Sequence, residues 1–418
     1  MSRGLGDVYK RQVNDQAVGA VGTANTYIGI FIIMFSVISS GMVAVMTQNI
    51  GAGRPGVAYQ ARQLGLAFNA VLGVIMSLFL SLGAGTILSG VGVADALMQP
   101  ARTYLQIVGG FCILNALIPI CSSYLRAFGF SKEPLYASII GNVINFCLNA
   151  FFLFVLHKGV AGVATATVIS RIINLVIVVL LGAVLVKAKQ HPERESNRAV
   201  MGQIIRIGLP SACETAIYNV SMTLVIRFLN QMDAQGLNVT ARSYTMQITN
   251  FSYCVGAALA QANAIMTGWH IGAKEYDACD RGTKKAAVIG VIVAVILETV
   301  FTLCSGWIMQ LFSKDPQMVS LVGKLLAIDI VLEIGRVTNL VYGQALKTSG
   351  DAVFPVVMGA CFMILCSVGG TYLFGIRLGL LAVGAYIGMT GDECVRAVGM
   401  YLRWKSGKWK EKGLVKSR

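Results

Sequence analysis

The chain has 418 residues, of which 56% are hydrophobic and only 13% charged, and its mean hydropathy is +0.69. Soluble domains carry about 25% charged residues, so a cytosolic enzyme, a disordered chain and a secreted disulfide scaffold are excluded and a polytopic membrane protein remains. The net charge of +15 reads as membrane topology and not as nucleic-acid binding, because Lys and Arg crowd a few short loops.

A helix needs about 20 apolar residues to cross a bilayer. In chain order such segments are predicted at 24–47, 64–90, 101–124, 135–156, 160–186, 204–229, 238–266, 284–312, 318–345, 353–375 and 379–402, eleven in all. Short polar loops separate them, as in Gly51-Ala52-Gly53-Arg54-Pro55 and Ser313-Lys314-Asp315-Pro316. Loop charge alternates: one set of ends holds 21 Lys and Arg, from Arg54 and Arg62 to the tail after Arg403, while the other holds four, Arg102, Lys158, Lys314 and Arg377. The positive-inside rule makes the first set cytoplasmic, the C-terminus included. The ten cysteines form no CxxC pair and read as small core residues, as at Cys112, Cys147, Cys254 and Cys366.

The sequence repeats itself with a period near 220. Thr23-Ala24-Asn25-Thr26-Tyr27 returns as Thr240-Ala241-Arg242-Ser243-Tyr244, Ile50-Gly51-Ala52 as Ile271-Gly272-Ala273, and Leu125-Arg126, Gly129 and Pro134 as Leu346-Lys347, Gly350 and Pro355. Six helices per repeat is an even number, which predicts two parallel lobes related by an axis along the membrane normal. The segment 204–229 has no upstream partner. The expectation is a twelve-helix parent lacking its first helix, with residues 1–12 foreign, a first lobe over 13–189, a cytoplasmic linker over 190–203, a second lobe over 204–402 and a basic tail over 403–418.

These residues resemble the multidrug and toxic compound extrusion (MATE) family. The likeness runs from residue 13 to about 409. It rests on Ala20-Val21-Gly22-Thr23-Ala24-Asn25, Ile50-Gly51-Ala52-Gly53, Gly208-Leu209-Pro210-Ser211 and Gly272-Ala273. It continues in Ala345-Leu346-Lys347-Thr348-Ser349-Gly350-Asp351, Phe354-Pro355, Arg403-Trp404 and Ser406-Gly407-Lys408-Trp409, all in order. The resemblance implies an all-α polytopic membrane protein of two six-helix lobes in a V, here with eleven of the twelve helices. It also implies export of cationic or amphipathic organic compounds against inward flow of Na+ or H+, with acidic residues in the second lobe. No cofactor beyond the coupling ion, no metal site and no enzymatic activity are expected.

Ion coupling needs a group that grips a cation in one state and releases it in another, and a carboxylate inside the membrane does this. All intramembrane acids fall in the second half. Asp329, Glu333 and Arg336 recur at i, i+4 and i+7, so they share one helical face, and one Arg leaves one of the two acids free. Glu214 lies four residues after Pro210, with Tyr218 and Asn219 following, similar to family members. Glu214, Asp329 and Glu333 are the expected cation-coupling acids, and Arg336 their ion-pair partner. Asp392, Glu393 and Arg396 at i,i+4 and i,i+3 form a secondary network that reads mainly as structural, with Arg171 of the first half as an added basic partner. Glu298 reads as isolated.

Tyr218, Asn219, Tyr244, Gln247 and Asn250 are the substrate-cavity residues expected, and Asn142, Asn145 and Asn149 a packing stripe. Pro119 and Pro210 are expected to bend their helices. Taken together, the sequence reads as a monomeric antiporter of the cytoplasmic membrane, with small organic cations and the bilayer as partners. A lipid-linked oligosaccharide or lipid flippase of the same superfamily is the alternative. That cargo wants a broadly cationic cavity, whereas the buried acids here match or outnumber the arginines.

Overall fold

The computed structural model describes residues 15–90, 95–187, 191–233, 236–313 and 315–415. The expected foreign stretch 1–12 and the loop residues Lys189 and Lys314 lie outside the described residues. Regular structure among the described residues is helical throughout. The first helices are α1 (Asp15–Gly51), α2 (Pro55–Leu82), α3 (Asp95–Tyr104), α4 (Ile113–Ala127), α5 (Lys132–Ala150) and α6 (Gly159–Leu185). Then come α7 (Asn197–Met232), α8 (Leu237–Gly272), α9 (Tyr276–Leu303), α10 (Pro316–Ser349), α11 (Val353–Phe362) and α12 (Leu381–Lys405). Wider turns extend α3 over Leu105–Gly109, α5 over Phe151–Val155, and α11 over Met363–Val368 and Thr371–Arg377.

Each expected span has a helix, with α3 and α4 forming one span bent by 43°. The bend sits between Gly109 and Ile113, whereas Pro119 lies inside α4 and α7 runs unbroken through Pro210. Among the described residues, six helices are both long and apolar enough to cross a membrane, seven with the bent pair. The four long helices that fall short on apolarity are α7, α8, α10 and α12. These helices carry the polar and charged residues singled out in the sequence. Large side chains such as Leu82, Leu303, Phe146 and Val184 lie exposed on the apolar helices, as a lipid-facing surface requires.

The chain divides into two compact units. One holds the residues up to Met46 with Arg54–Gly208, the other Thr47–Gly53 with Leu209–Arg418. The division therefore falls inside α7 and not in the linker 190–203. The reason is local: Gln60 of α2 donates to the Glu195 carbonyl at 2.7 Å and to Asn197 at 2.6 Å, and Arg54 pairs with Glu195. The linker is thereby fastened to the first unit. In that unit Leu80, Tyr104, Leu105, Val108 and Cys112 belong to one apolar core.

The second unit has two apolar clusters. One gathers Val225, Leu229, Leu325, Leu332, Tyr386 and Met389. The other gathers Ala260, Ala294, Val337, Met400, Trp404 and Trp409. Along α10 and α12 the sequence between these two sets holds Glu333, Arg336, Asp392, Glu393 and Arg396, whereas Asp329 and Arg242 fall between members of the first set. The tail does not trail free through Val415. Trp404 and Trp409 stack at 4.1 Å, Trp404 donates to Asp280 at 2.9 Å, and the Leu414 N–H donates to Gln48 at 2.7 Å. Two indoles with hydrogen-bonded N–H groups are worth more inside than in water. The cysteines divide similarly: Cys112, Cys121 and Cys279 are buried, but Cys147 and Cys254 are exposed.

Candidate functional site

The site is built on α10. Asp315 caps its start, accepting from the Gln317 N–H at 3.0 Å, Pro316 occupies the first turn, and Gly350 closes its end. Between these caps Asp329, Glu333 and Arg336 share one face. Gly335 lets α12 come close, since a Cβ there would lie 2.8 Å from the Cys394 nitrogen. That approach brings the charges of α12 to Arg336.

Arg336 pairs directly with Glu333, and its Nε lies 3.5 Å from Glu393 Oε1. Arg396 Nε reaches Asp392 Oδ1 at 2.8 Å, and its Nη2 reaches Glu393 Oε2 at 3.0 Å. Asn339 donates to Glu393 at 3.0 Å and Ser367 to Asp392 at 2.9 Å. The result is a continuous chain, Glu333–Arg336–Glu393–Arg396–Asp392, across α10 and α12, with Ser367 of the α11 extension joined at its end. Charges this deep persist only when paired and hydrogen-bonded.

Around this chain of pairs, three acids among the described residues remain short of hydrogen-bond partners. Asp329 is 2% exposed and its Oδ2 has no hydrogen-bond partner among the described residues. Glu333 uses one oxygen on Arg336, and its Oε2 has none. Glu298 of α9 is 0% exposed with both oxygens unpartnered, within electrostatic reach of Asp329 and Glu333. Asp329 also faces a cavity of about 210 Å³, whose lining includes Tyr218, Arg242, Asn250, Tyr253, Arg336 and Tyr386.

Glu214 sits apart, paired with Lys347 in the last turn of α10 at 2.6 Å. A Cβ on Gly359 of α11 would lie 3.3 Å from its Cγ. Of the polar residues expected in a cavity, Tyr218 and Asn250 line this one, while Asn219 and Gln247 are exposed outside its lining and Tyr244 packs on Phe312 at 5.3 Å. Helix geometry explains the split. Three residues advance 300° around an α-helix, so a stripe at i, i+3 and i+6 drifts by about 60° per step. The face that does line the cavity is Arg242, Met246, Thr249 and Tyr253, at i, i+4, i+7 and i+11. Arg171 on α6 forms no ion pair among the described residues, since the acids of its own unit fall in loops and helix ends. On α5, Asn149 donates to Asn145 at 3.0 Å and Asn145 to Ser170 of α6 at 3.3 Å, as a packing stripe does.

The MatE family profile matches residues 10–151 and 210–373, well over half of the chain. The chain belongs to the MatE family. This MatE chain is 32% identical over 410 residues to the uncharacterized transporter YisQ of Bacillus subtilis (strain 168), covering 97% of itself and 90% of that relative. It is 21% identical over 416 residues to the probable multidrug resistance protein NorM of Thermotoga maritima, covering 96% and 87%. Its fold matches an outward-facing multidrug resistance MATE transporter at a TM-score of 0.85 and 17% identity, over 96% of this chain and 90% of that one. It is thus a multi-pass membrane transporter by family.

Two residues of this MatE chain join the site that sequence reasoning left out. In the sequence Glu298 reads as isolated. An acid in the interior of the strongly apolar run Ala286–Thr302 was the signal. Arg242 stands where the first repeat has Asn25, and that charge gained within a matched pentapeptide marked it.

Proposed function

We propose that this chain is a secondary active efflux transporter, an antiporter that exports cationic or amphipathic organic compounds in exchange for Na+ or H+. It works as a monomer in the cytoplasmic membrane with its C-terminus in the cytoplasm. The observation that carries this reading is Asp329: a buried carboxylate, unpartnered at Oδ2, facing a cavity, one turn from a Glu333 already held by Arg336. Such an acid gains from a cation and loses it when solvation changes. Cargo and coupling ion then exchange because each favours a different state of the protein. Glu214 supplies a second exchangeable acid, where an entering cation replaces Lys347. Asp392 and Glu393, fully bridged by Arg396, hold α12 in place. The multidrug resistance names of several relatives support an organic cargo.

The test is gradient-driven efflux of a cationic dye from vesicles containing the full chain, with a sodium gradient or a proton gradient alone. Efflux following one gradient, and lost in both Glu333→Gln and Glu214→Gln, is the expected outcome. Normal gradient-driven export by both variants overturns the site assignment.

A further inference from the structure

Two side chains of opposite charge face the same cavity without satisfying each other. Arg242 of α8 is 6% exposed, and its Nε has no hydrogen-bond partner among the described residues. Its Nη2 reaches only the Met222 sulfur, at 3.7 Å, a weak acceptor. It forms no ion pair with any carboxylate among the described residues. Asp329 of α10 keeps Oδ2 unpartnered. Arg336, the other guanidinium on the cavity, is committed to Glu333 and Glu393. An arginine stays charged in proteins, and an uncompensated buried charge is costly enough to mark a functional position. No ion pair joins the two, and Tyr386 of α12, 1% exposed, lies within electrostatic reach of both.

We propose that this cavity is a binding site for a small aromatic zwitterion, whose carboxylate takes Arg242 and whose ammonium takes Asp329. Tyr218, Tyr253 and Tyr386 supply ring faces and Met246 and Met389 adaptable apolar contact. A volume of about 210 Å³ exceeds the roughly 150 Å³ that encloses benzene, which fits one ring bearing short charged arms. A simple cation leaves Arg242 unmatched and a simple anion leaves Asp329 unmatched, so the zwitterion is favoured over either. The site rests on the export reading and narrows its cargo: the coupling ion and the ammonium compete for Asp329, so loading one expels the other.

The test uses three congeners with one ring, phenylalanine (zwitterion), phenethylamine (cation) and 3-phenylpropionate (anion). Their binding to the purified full chain is measured by calorimetry. Phenylalanine is expected to bind about tenfold or more tightly than either congener, the scale of one charge-assisted hydrogen bond. Arg242→Gln should abolish its advantage over phenethylamine, Asp329→Asn its advantage over 3-phenylpropionate, and Arg242→Lys should retain part of the preference. Circular dichroism and a monodisperse elution profile confirm that each variant is folded. Phenethylamine binding as tightly as phenylalanine, no phenylalanine binding, or a preference untouched by Arg242→Gln overturns the proposal. Dye export driven by an ion gradient alongside such a result leaves the antiporter reading standing. Absence of gradient-driven export of any organic compound overturns that reading itself.

Discussion

In the first unit, Asn149 donates to Asn145 and Asn145 to Ser170 across α5 and α6, and among the described residues of that unit no Asp or Glu is a buried residue. In the second, Glu298, Asp329, Glu333, Asp392 and Glu393 are all buried, as are Arg242 and Arg396, with Arg336 paired to them. The sequence repeat supplies similar helices to both, yet neutral amides suffice to fasten one, while the other retains charge that packing alone does not need. Replacing a buried ion pair by apolar groups is often neutral or stabilising. Buried carboxylates kept in one unit, and not found among the described residues of its counterpart, therefore point to work done there.

The contrast can be broken most severely at Arg336. Arg336→Met strands Glu333 in the apolar interior, takes from Glu393 one of its partners, and should cost about 3–5 kcal/mol, read as a large drop in unfolding temperature in detergent. A small drop would mean that the chain of ion pairs does not hold α10 to α12. Next comes the close approach that creates the network: Gly335→Leu places its side chain against the α12 backbone and should cost about 1–3 kcal/mol, with transport falling in parallel.

In the first unit, Asn145→Ala should cost only ~0.6 kcal/mol, the average for a hydrogen bond between membrane helices, and leave export intact. Glu298→Gln sharpens the comparison from the other side. It keeps the shape and removes a carboxyl whose oxygens have no hydrogen-bond partner among the described residues, so the unfolding temperature should hold or rise while ion-coupled export falls. A marked loss of stability would show Glu298 to be a structural anchor.

The smallest effect lies outside the membrane-spanning helices, at the α7–α8 turn. Asp233 accepts from the Leu237 and Asn238 N–H groups at 2.9 and 3.0 Å. Burial pulls its carboxyl upward, but the hydrogen bonds from Asn238 and Leu237 outweigh it and hold the group below its ordinary range. A depressed value means the ionised form stabilises the turn above about pH 4, and that contribution is lost as the pH falls through the lowered value. Asp233→Asn should flatten this acid limb of a thermal-stability profile and leave neutral pH little changed.

The helices were legible because a run of about 20 apolar residues admits few other structures. The approximate positions of Asp329, Glu333 and Arg336 followed from helical spacing alone. What composition could not reveal was partnership across helices. Lys347 stood in the sequence as a loop charge, and its salt bridge to Glu214 depends on how α7 meets α10. Glu298 looked isolated because its neighbours come from α8 and α10, not from α9. The stripe of Tyr244, Gln247 and Asn250 misled for a simpler reason, a period of three on a helix of 3.6 residues per turn. Trp404 and Trp409 read as part of a basic tail because Lys and Arg surround them, although the rings are what fold it inward.

The central claim is that ion coupling resides in the carboxylates of the second unit. It is tested most directly by reconstituting Asp329→Asn and Arg171→Gln separately and measuring dye export under the driving ion gradient. The account predicts that Asp329→Asn uncouples export from the gradient and that Arg171→Gln leaves coupling intact. Coupled export by Asp329→Asn, or its loss in Arg171→Gln, would contradict it.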